Sequence, residues 1–166
     1  MPEITTPRAL FLHELGDILY VEEKLAREVL PQLISETQHD EFRRGLEKHL
    51  TETRTHVAKL EQAFETLGET PETERCIGFE GLKQEKEKLT SEVSDSLVDS
   101  VNTGAAARTE HYEIAAYTGL IEMARALGEQ DVVSILDENL KQEKDALRRV
   151  ESVEKTIRDE IKAGAV

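Results

Sequence analysis

The sequence predicts an all-α chain, a four-helix bundle made of two antiparallel helical hairpins joined by a long crossover. Three observations carry that prediction. Apolar residues recur at spacings of three and four along four long segments, the mark of helices with one buried face. Leu, Ala, Glu, Lys and Arg dominate, aromatic residues make up only 4%, and Gly and Pro are sparse, as in long helices. No stretch alternates with period two for long enough to form a sheet. At 166 residues the chain has room for a real core, so residues 1–166 are read as one domain.

The first helix is expected over 7–36. Thr6 is its N-cap, and Pro7 suits the first helical position because its missing N–H has no partner there anyway. Its inward stripe is read as Leu12, Leu15, Leu19, Ala26, Val29, Leu30 and Leu33, with a kink at Pro31, which removes one backbone bond. The second helix is expected over 40–67. Asp40 and Glu41 favour its positive end, Phe42, Leu46, Leu50, Val57, Leu60, Phe64 and Leu67 form its stripe, and Gly68 stops it.

Residues 68–94 form the crossover. The stretch "ETPETERCIGFEG" is broken by Pro and Gly, and "LKQEKEKLT" reads as a short charged helix within it. The third helix is expected over 95–127, ending at Gly128. The fourth is expected over 130–161, with Val133, Leu136, Leu140, Leu147, Val150 and Ile157 inward. Two such hairpins dock into a four-helix bundle.

Composition excludes several functions. A net charge of −14 argues against nucleic acid or an anionic membrane as partner. No run of about 18 apolar residues is present to span a bilayer, and "MPEITTPRALFLHEL" lacks the pattern of a signal peptide. One cysteine, Cys76, cannot form an internal disulfide and reads as a quiet thiol in a connector, which fits a cytoplasmic setting. No Ser–His–Asp set, Gly-rich phosphate loop or basic aromatic patch is present.

Ionisable residues interrupt every stripe. They are Glu23 in the first helix, His49, Glu52 and His56 in the second, Glu110 and Glu113 in the third, and Glu143 in the fourth. Residues four apart on a helix differ by about 40° and three apart by about 60°, so Glu52 and His56 can reach toward one point, as can Glu110 and Glu113. Depth agrees. Glu23 and Glu52 are centred between Thr37 and Gln38, inside the first expected turn, while Glu113 and Glu143 are centred on Gly128, the second. Docked face to face, the hairpins would gather these groups inside the bundle. Several carboxylates cannot all ionise in a dry core, and a multivalent cation relieves the repulsion. Carboxylates with imidazole suit iron or manganese, and the lack of a cysteine cluster argues against structural zinc. The alternative is a bundle edge at which the carboxyls reach water.

Four runs, "LGDILYVEEKLAREVLPQL", "HLTETRTHVAKLEQAFETLG", "EHYEIAAYTGL" and "LDENLKQEKDAL", resemble the YciE/YciF family of ferritin-like bacterial and archaeal stress proteins. The likeness covers about residues 9 to 155. It implies a ferritin-like bundle with Glu23, Glu52, His56, Glu110, Glu113 and Glu143 as metal ligands for two ions, iron first and manganese second. The chain departs from the group's Glu-x-x-His pattern. Glu143 is followed at three by Ala146 and at four by Leu147, and helix two carries its histidine four after Glu52. One histidine is therefore missing, and full occupancy by a second ion becomes a question. His111 lies about 100° around the helix from Glu110 and does not replace it. Asp17, His49, Tyr117 and Asn139 are accessory candidates.

Three functions are expected to compete. The first is an oxidoreductase with O₂ or peroxide as oxidant, a ferroxidase or a peroxide-consuming enzyme used in stress. The second is an iron-binding bundle without turnover. The third is a metal-free interaction protein. A second apolar stripe on helix three (Leu97, Val101, Ala105, Ala115) leads us to expect a homodimer.

Overall fold

The computed structural model describes residues 4–164. Its elements are α1 (Pro7–Lys24), a π-helical turn (Leu25–Val29), α2 (Leu30–Glu36), α3 (Asp40–Thr66), α4 (Ile77–Glu92), a 3₁₀ turn (Asp95–Leu97), α5 (Val98–Leu127) and α6 (Gln130–Lys162). Among the described residues there is no strand. Local chemistry sets the ends. The Thr6 hydroxyl accepts from the Ala9 N–H, and Gly128 closes α5 in the left-handed region at φ 83°, where a side chain would be strained.

The long helices pack in a closed ring, α1 on α3, α3 on α6, α6 on α5 and α5 on α1. Side-chain bonds at the ends fix its polarity. Asp99, at the start of α5, accepts from the backbone N–H groups of Gln38 and His39 at the start of α3. At the other end Arg8 donates to the Leu67 carbonyl and pairs with Glu129. Neighbours in the ring are thus antiparallel. Because α3 and α5 start at the same end, the crossover has to travel the length of α3, about 40 Å for its 27 residues. It does so as an extended segment followed by α4, which packs on α5.

Gly16 allows the extended segment to lie against α1. The Glu74 N–H donates to the Gly16 carbonyl, and a Cβ on Gly16 would stand 2.7 Å from the Glu72 carbonyl oxygen. At its start α4 is held by Cys76, whose sulfur accepts from the Phe79 N–H and lies 2.9 Å from the Tyr112 hydroxyl. Tyr20 ties α4 to α1 by donating to Glu80.

The buried faces differ in detail from the expected stripes. On α3 they run Phe42, Leu46, His49, Thr53, His56, Leu60 and Ala63, a strict alternation of four and three. Leu50 and Val57 are only half-buried, because a straight α-helix counted in fours drifts off its own face. On α6 the face is Val132, Leu136, Asn139, Glu143, Ala146, Val150, Val153 and Ile157. In the first helix Pro31 does not produce a simple kink. A proline cannot accommodate the carbonyl four residues earlier, and the turn before it widens, with the Leu30 N–H bonding the Leu25 carbonyl five residues back. The second stripe of α5 is partly covered by the chain itself: Val101 is buried, Ala105 faces α4 beside Phe79, and Leu97 and Ala115 stay exposed.

Candidate metal centre

Six residues from α1, α3, α5 and α6 bring their ligand atoms together in two adjoining groups. His49, Glu110, Glu113 and Glu143 form one, and Glu22, His56 and Glu143 form the other. Within each, one ligand atom per residue lies within 4.8 Å of the rest. Glu143 belongs to both. All six residues are buried, and Glu22, His56, Glu113 and Glu143 have no exposed surface.

The distances are short. His49 Nε2 lies 3.2 Å from Glu110 Oε1 and 3.9 Å from Glu143 Oε2. His56 Nδ1 lies 2.7 Å from Glu143 Oε1 and 3.2 Å from Glu22 Oε1. Yet His56 Nδ1, both oxygens of Glu113 and both of Glu143 take no well-aligned hydrogen bond, nor do Glu22 Oε2 and Glu110 Oε2. Buried polar atoms are normally satisfied, and each orphan costs about 1–3 kcal/mol or more when charged. Carboxylate oxygens and an imidazole nitrogen converging from four helices fit cations.

Outer contacts aim these ligands. His56 Nε2 lies 2.8 Å from Gln142 Oε1, an oxygen that can only accept, so Nε2 carries the proton and Nδ1 faces the carboxylates. The Tyr117 hydroxyl donates to Glu22 Oε1 at 2.5 Å, and Asn139 Nδ2 donates to the Tyr117 oxygen at 3.1 Å. Tyr117 and Asn139 are therefore supports for Glu22, whereas Asp17 lies elsewhere, accepting from Tyr112.

Burial and mutual repulsion set the proton inventory. Desolvation pushes Glu110 and Glu113 well above the usual carboxylate range, and Glu143 adds to this; Glu22 rises for the same first reason. Burial alone would lower the two histidines. It is outweighed by Glu110, Glu52 and Glu143 around His49, which rises to about 9, and by Glu22 and Glu143 around His56, which rises to about 11. Glu143 is held below its ordinary value: desolvation opposes this, and the flanking His56 and His49 win.

Two expected ligands lie outside the cluster. Glu23 is half-exposed and pairs with Arg27 on the surface, and Glu22 takes the inward place. Counting back from Leu30 in threes and fours gives Ala26 and Glu23. The π turn adds a residue, so the inward path is instead Leu30, Leu25, Glu22, Ile18. Glu52 sits at the rim, bonded to Arg149 at 2.5 Å, and its neighbour on the inward face is His49. His49 and His56 are seven apart, two turns on one face. The histidine absent at Ala146 of α6 thus has a counterpart on α3, and the cluster holds four glutamates and two histidines. Glu110, Glu113, Glu143 and His56 are where the spacing placed them. His111 is exposed. A strict four–three count from Phe42 is the signal that moves His49 from accessory candidate to the inward line.

A family model for a domain of unknown function (DUF892) matches residues 6–162. Protein YciF of Escherichia coli (strain K12) is 31% identical over 137 residues, 81% of this chain and 82% of that protein. The crystal structure of the E. coli stress protein YciF superposes with a TM-score of 0.87 at 26% identity, covering 94% of this chain and 99% of that one. YcfI from Rhodopseudomonas palustris, described as a candidate structural protein, gives 0.87 at 35% identity over 90% and 95%. The chain belongs to the DUF892 family and is a relative of YciF.

Proposed function

We propose that this member of the DUF892 family is a ferritin-like, stress-associated metalloprotein holding two iron ions, or two manganese ions, in the buried cluster, and that it consumes O₂ or peroxide as an oxidoreductase. The observation that carries the reading is the pair Glu113 and Glu143: both are fully buried, both oxygens of Glu113 lack any partner, and Glu143 lies between the two histidines. His49, Glu110 and Glu113 would hold one ion, Glu22 and His56 the other, with one Glu143 oxygen toward each. Oxygen and imidazole donors without thiolate match iron and manganese, and the lone Cys76 is engaged with Tyr112. Bound there, such ions supply electron exchange and Lewis acidity toward an oxidant.

The chain's own part is positioning and proton storage. Gln142 keeps His56 Nδ1 aimed inward, and Tyr117 orients Glu22. Without metal, protons on the histidines and on Glu110 and Glu113 neutralise the cluster; they leave when cations take their place. The buried surroundings exclude bulk water, which strengthens every charge contact inside.

No helix among the described residues is long and apolar enough to cross a membrane. Homodimerisation stays part of the proposal, supported by the exposed Leu97 and Ala115. A metal-free interaction role is the second reading, favoured by the internal pairing of His49 and His56 with carboxylates and by the description of the R. palustris relative. Anaerobic loading with Fe²⁺ followed by O₂ or peroxide separates the two. Oxidation faster than in buffer, lost in Glu113→Ala, supports the redox reading; an unchanged rate favours the interaction protein.

A further inference from the structure

We propose that the groove between α3 and α6 is a channel that binds small anions and delivers them to the cluster, an inference that rests on the metal-centre reading above. The groove has a volume of about 640 Å³, and its lining includes His49 and Glu110, two members of the cluster. No other residue of the centre reaches it. That volume falls within the roughly 300–1,000 Å³ typical of small-molecule sites.

Small side chains open it. Gly45 of α3 and Ala146 of α6 both line it, and a Cβ on Gly45 would meet nothing within 4 Å. Ala146 lies one turn beyond Glu143, where the histidine of the Glu-x-x-His pattern would stand. The alanine that leaves α6 without a histidine ligand thereby leaves a passage to the histidine that α3 supplies.

The charge of the groove runs opposite to that of the chain. Acids outnumber bases 35 to 21 overall. Here Arg44, Lys48, Arg148 and Arg149 stand against Glu41 and Asp145 at the rim. Arg148 pairs with Asp145, and Lys48 and Arg149 share the one carboxylate of Glu52, whereas Arg44 has no carboxylate partner among the described residues. A cationic mouth in an acidic protein concentrates anions and repels free metal cations. At the floor, two divalent ions would balance the four buried carboxylates Glu22, Glu110, Glu113 and Glu143, so an arriving anion meets no net negative charge.

Azide is a suitable probe, followed by the visible absorption of the Co²⁺-loaded protein. The wild type is expected to give a saturable spectral change that weakens with added NaCl. Arg44→Glu with Arg148→Glu should raise the azide Kd about tenfold. Gly45→Leu places a branched side chain at the mouth, where a Cβ meets nothing within 4 Å, and should slow azide binding about tenfold while leaving the azide-free Co²⁺ spectrum and the thermal melt unchanged. Wild-type azide affinity and rate in both variants overturn the channel. Absence of a Co²⁺ spectrum in the wild type, by contrast, overturns the metal-centre reading itself.

Discussion

Glu143 presents one carboxylate oxygen to each histidine of α3: Oε1 lies 2.7 Å from His56 Nδ1, and Oε2 lies 3.9 Å from His49 Nε2. A single side chain thereby joins the two ligand groups. Glu143→Ala should therefore empty both positions together, while Glu22→Ala, which touches one group, should leave about half of the bound metal. Metal-to-protein ratios after desalting check this, with far-UV circular dichroism as the folding control. Independent, equal losses in the two variants would show that Glu143 does not bridge.

Two neighbouring pairs give a sharper comparison. Glu22 and Glu23 differ by one residue, as their burial does by side of the helix; His49 and Glu52 differ by one turn. Glu22→Ala and His49→Ala should lower metal affinity at least tenfold. Glu23→Ala should change it less than threefold, since Glu23 pairs only with Arg27 near solvent, while Glu52→Ala should fall between, since Glu52 pairs with Arg149 but also lies 3.8 Å from His49 Nδ1. Competition titrations with a chromogenic chelator give the four values.

These pairs also mark how far the sequence could be read. The four long helices, the capping Thr6, the stop at Gly128 and the inward run Glu110–Glu113–Tyr117 follow from spacing and end chemistry alone, because each is local, whereas the crossover helix starts at Ile77, inside the stretch read as broken, with Cys76 as its cap. Glu22 did not follow. The one-residue gain of the π turn before Pro31 is a backbone event, and it rotates everything upstream of it by about 100° relative to a regular helix. His49 reads as an accessory group rather than a ligand because of a choice between two stripes: Leu50 and Val57 look like core, yet His49 and Thr53 hold the inward line. The cover that α4 places over α5 depends on contacts far apart in sequence, and periodicity carries no information on it.

Proton linkage predicts an unusual pH profile for the metal-free protein. His49 is raised to about 9 and His56 to about 11, from an ordinary value near 6.5. Each binds its proton more tightly folded than unfolded, so its contribution is complete below pH 6.5 and is lost as pH rises through the folded value. Glu110 and Glu113, also raised, act in the same direction from about pH 4.5 upward. The Tm of metal-free protein should thus fall steadily between pH 6.5 and 9. Metal affinity should rise over the same interval, because binding releases these protons. Calorimetric titrations in two buffers of different ionisation enthalpy count them. A flat melting profile would show that the histidines are neutral in the metal-free fold.

Tyr117→Phe removes the hydroxyl that donates to Glu22 and the acceptor used by Asn139. Loss of a hydrogen bond to a charged group costs about 1.5–3 kcal/mol, and the packed ring is otherwise kept. The expected outcome is a lower Tm with metal still bound, at roughly tenfold weaker affinity. Chemical denaturation with and without metal measures both effects.

Gly16 is a structural test independent of the cluster. A methyl group there would stand 2.7 Å from the Glu72 carbonyl oxygen, a backbone atom that cannot swing away. Gly16→Ala should destabilise the protein by about 1–3 kcal/mol despite the better helix propensity of alanine. An unchanged or higher Tm would mean that the crossover does not lie against α1.

The most direct test of the central claim is metal stoichiometry. Protein purified without an affinity metal is incubated anaerobically with Fe²⁺, dialysed and assayed by plasma mass spectrometry. Close to two irons per chain, bound in the wild type and absent from Glu143→Ala, is the predicted result. A wild type that retains no metal after this treatment, with either Fe²⁺ or Mn²⁺, would contradict the account.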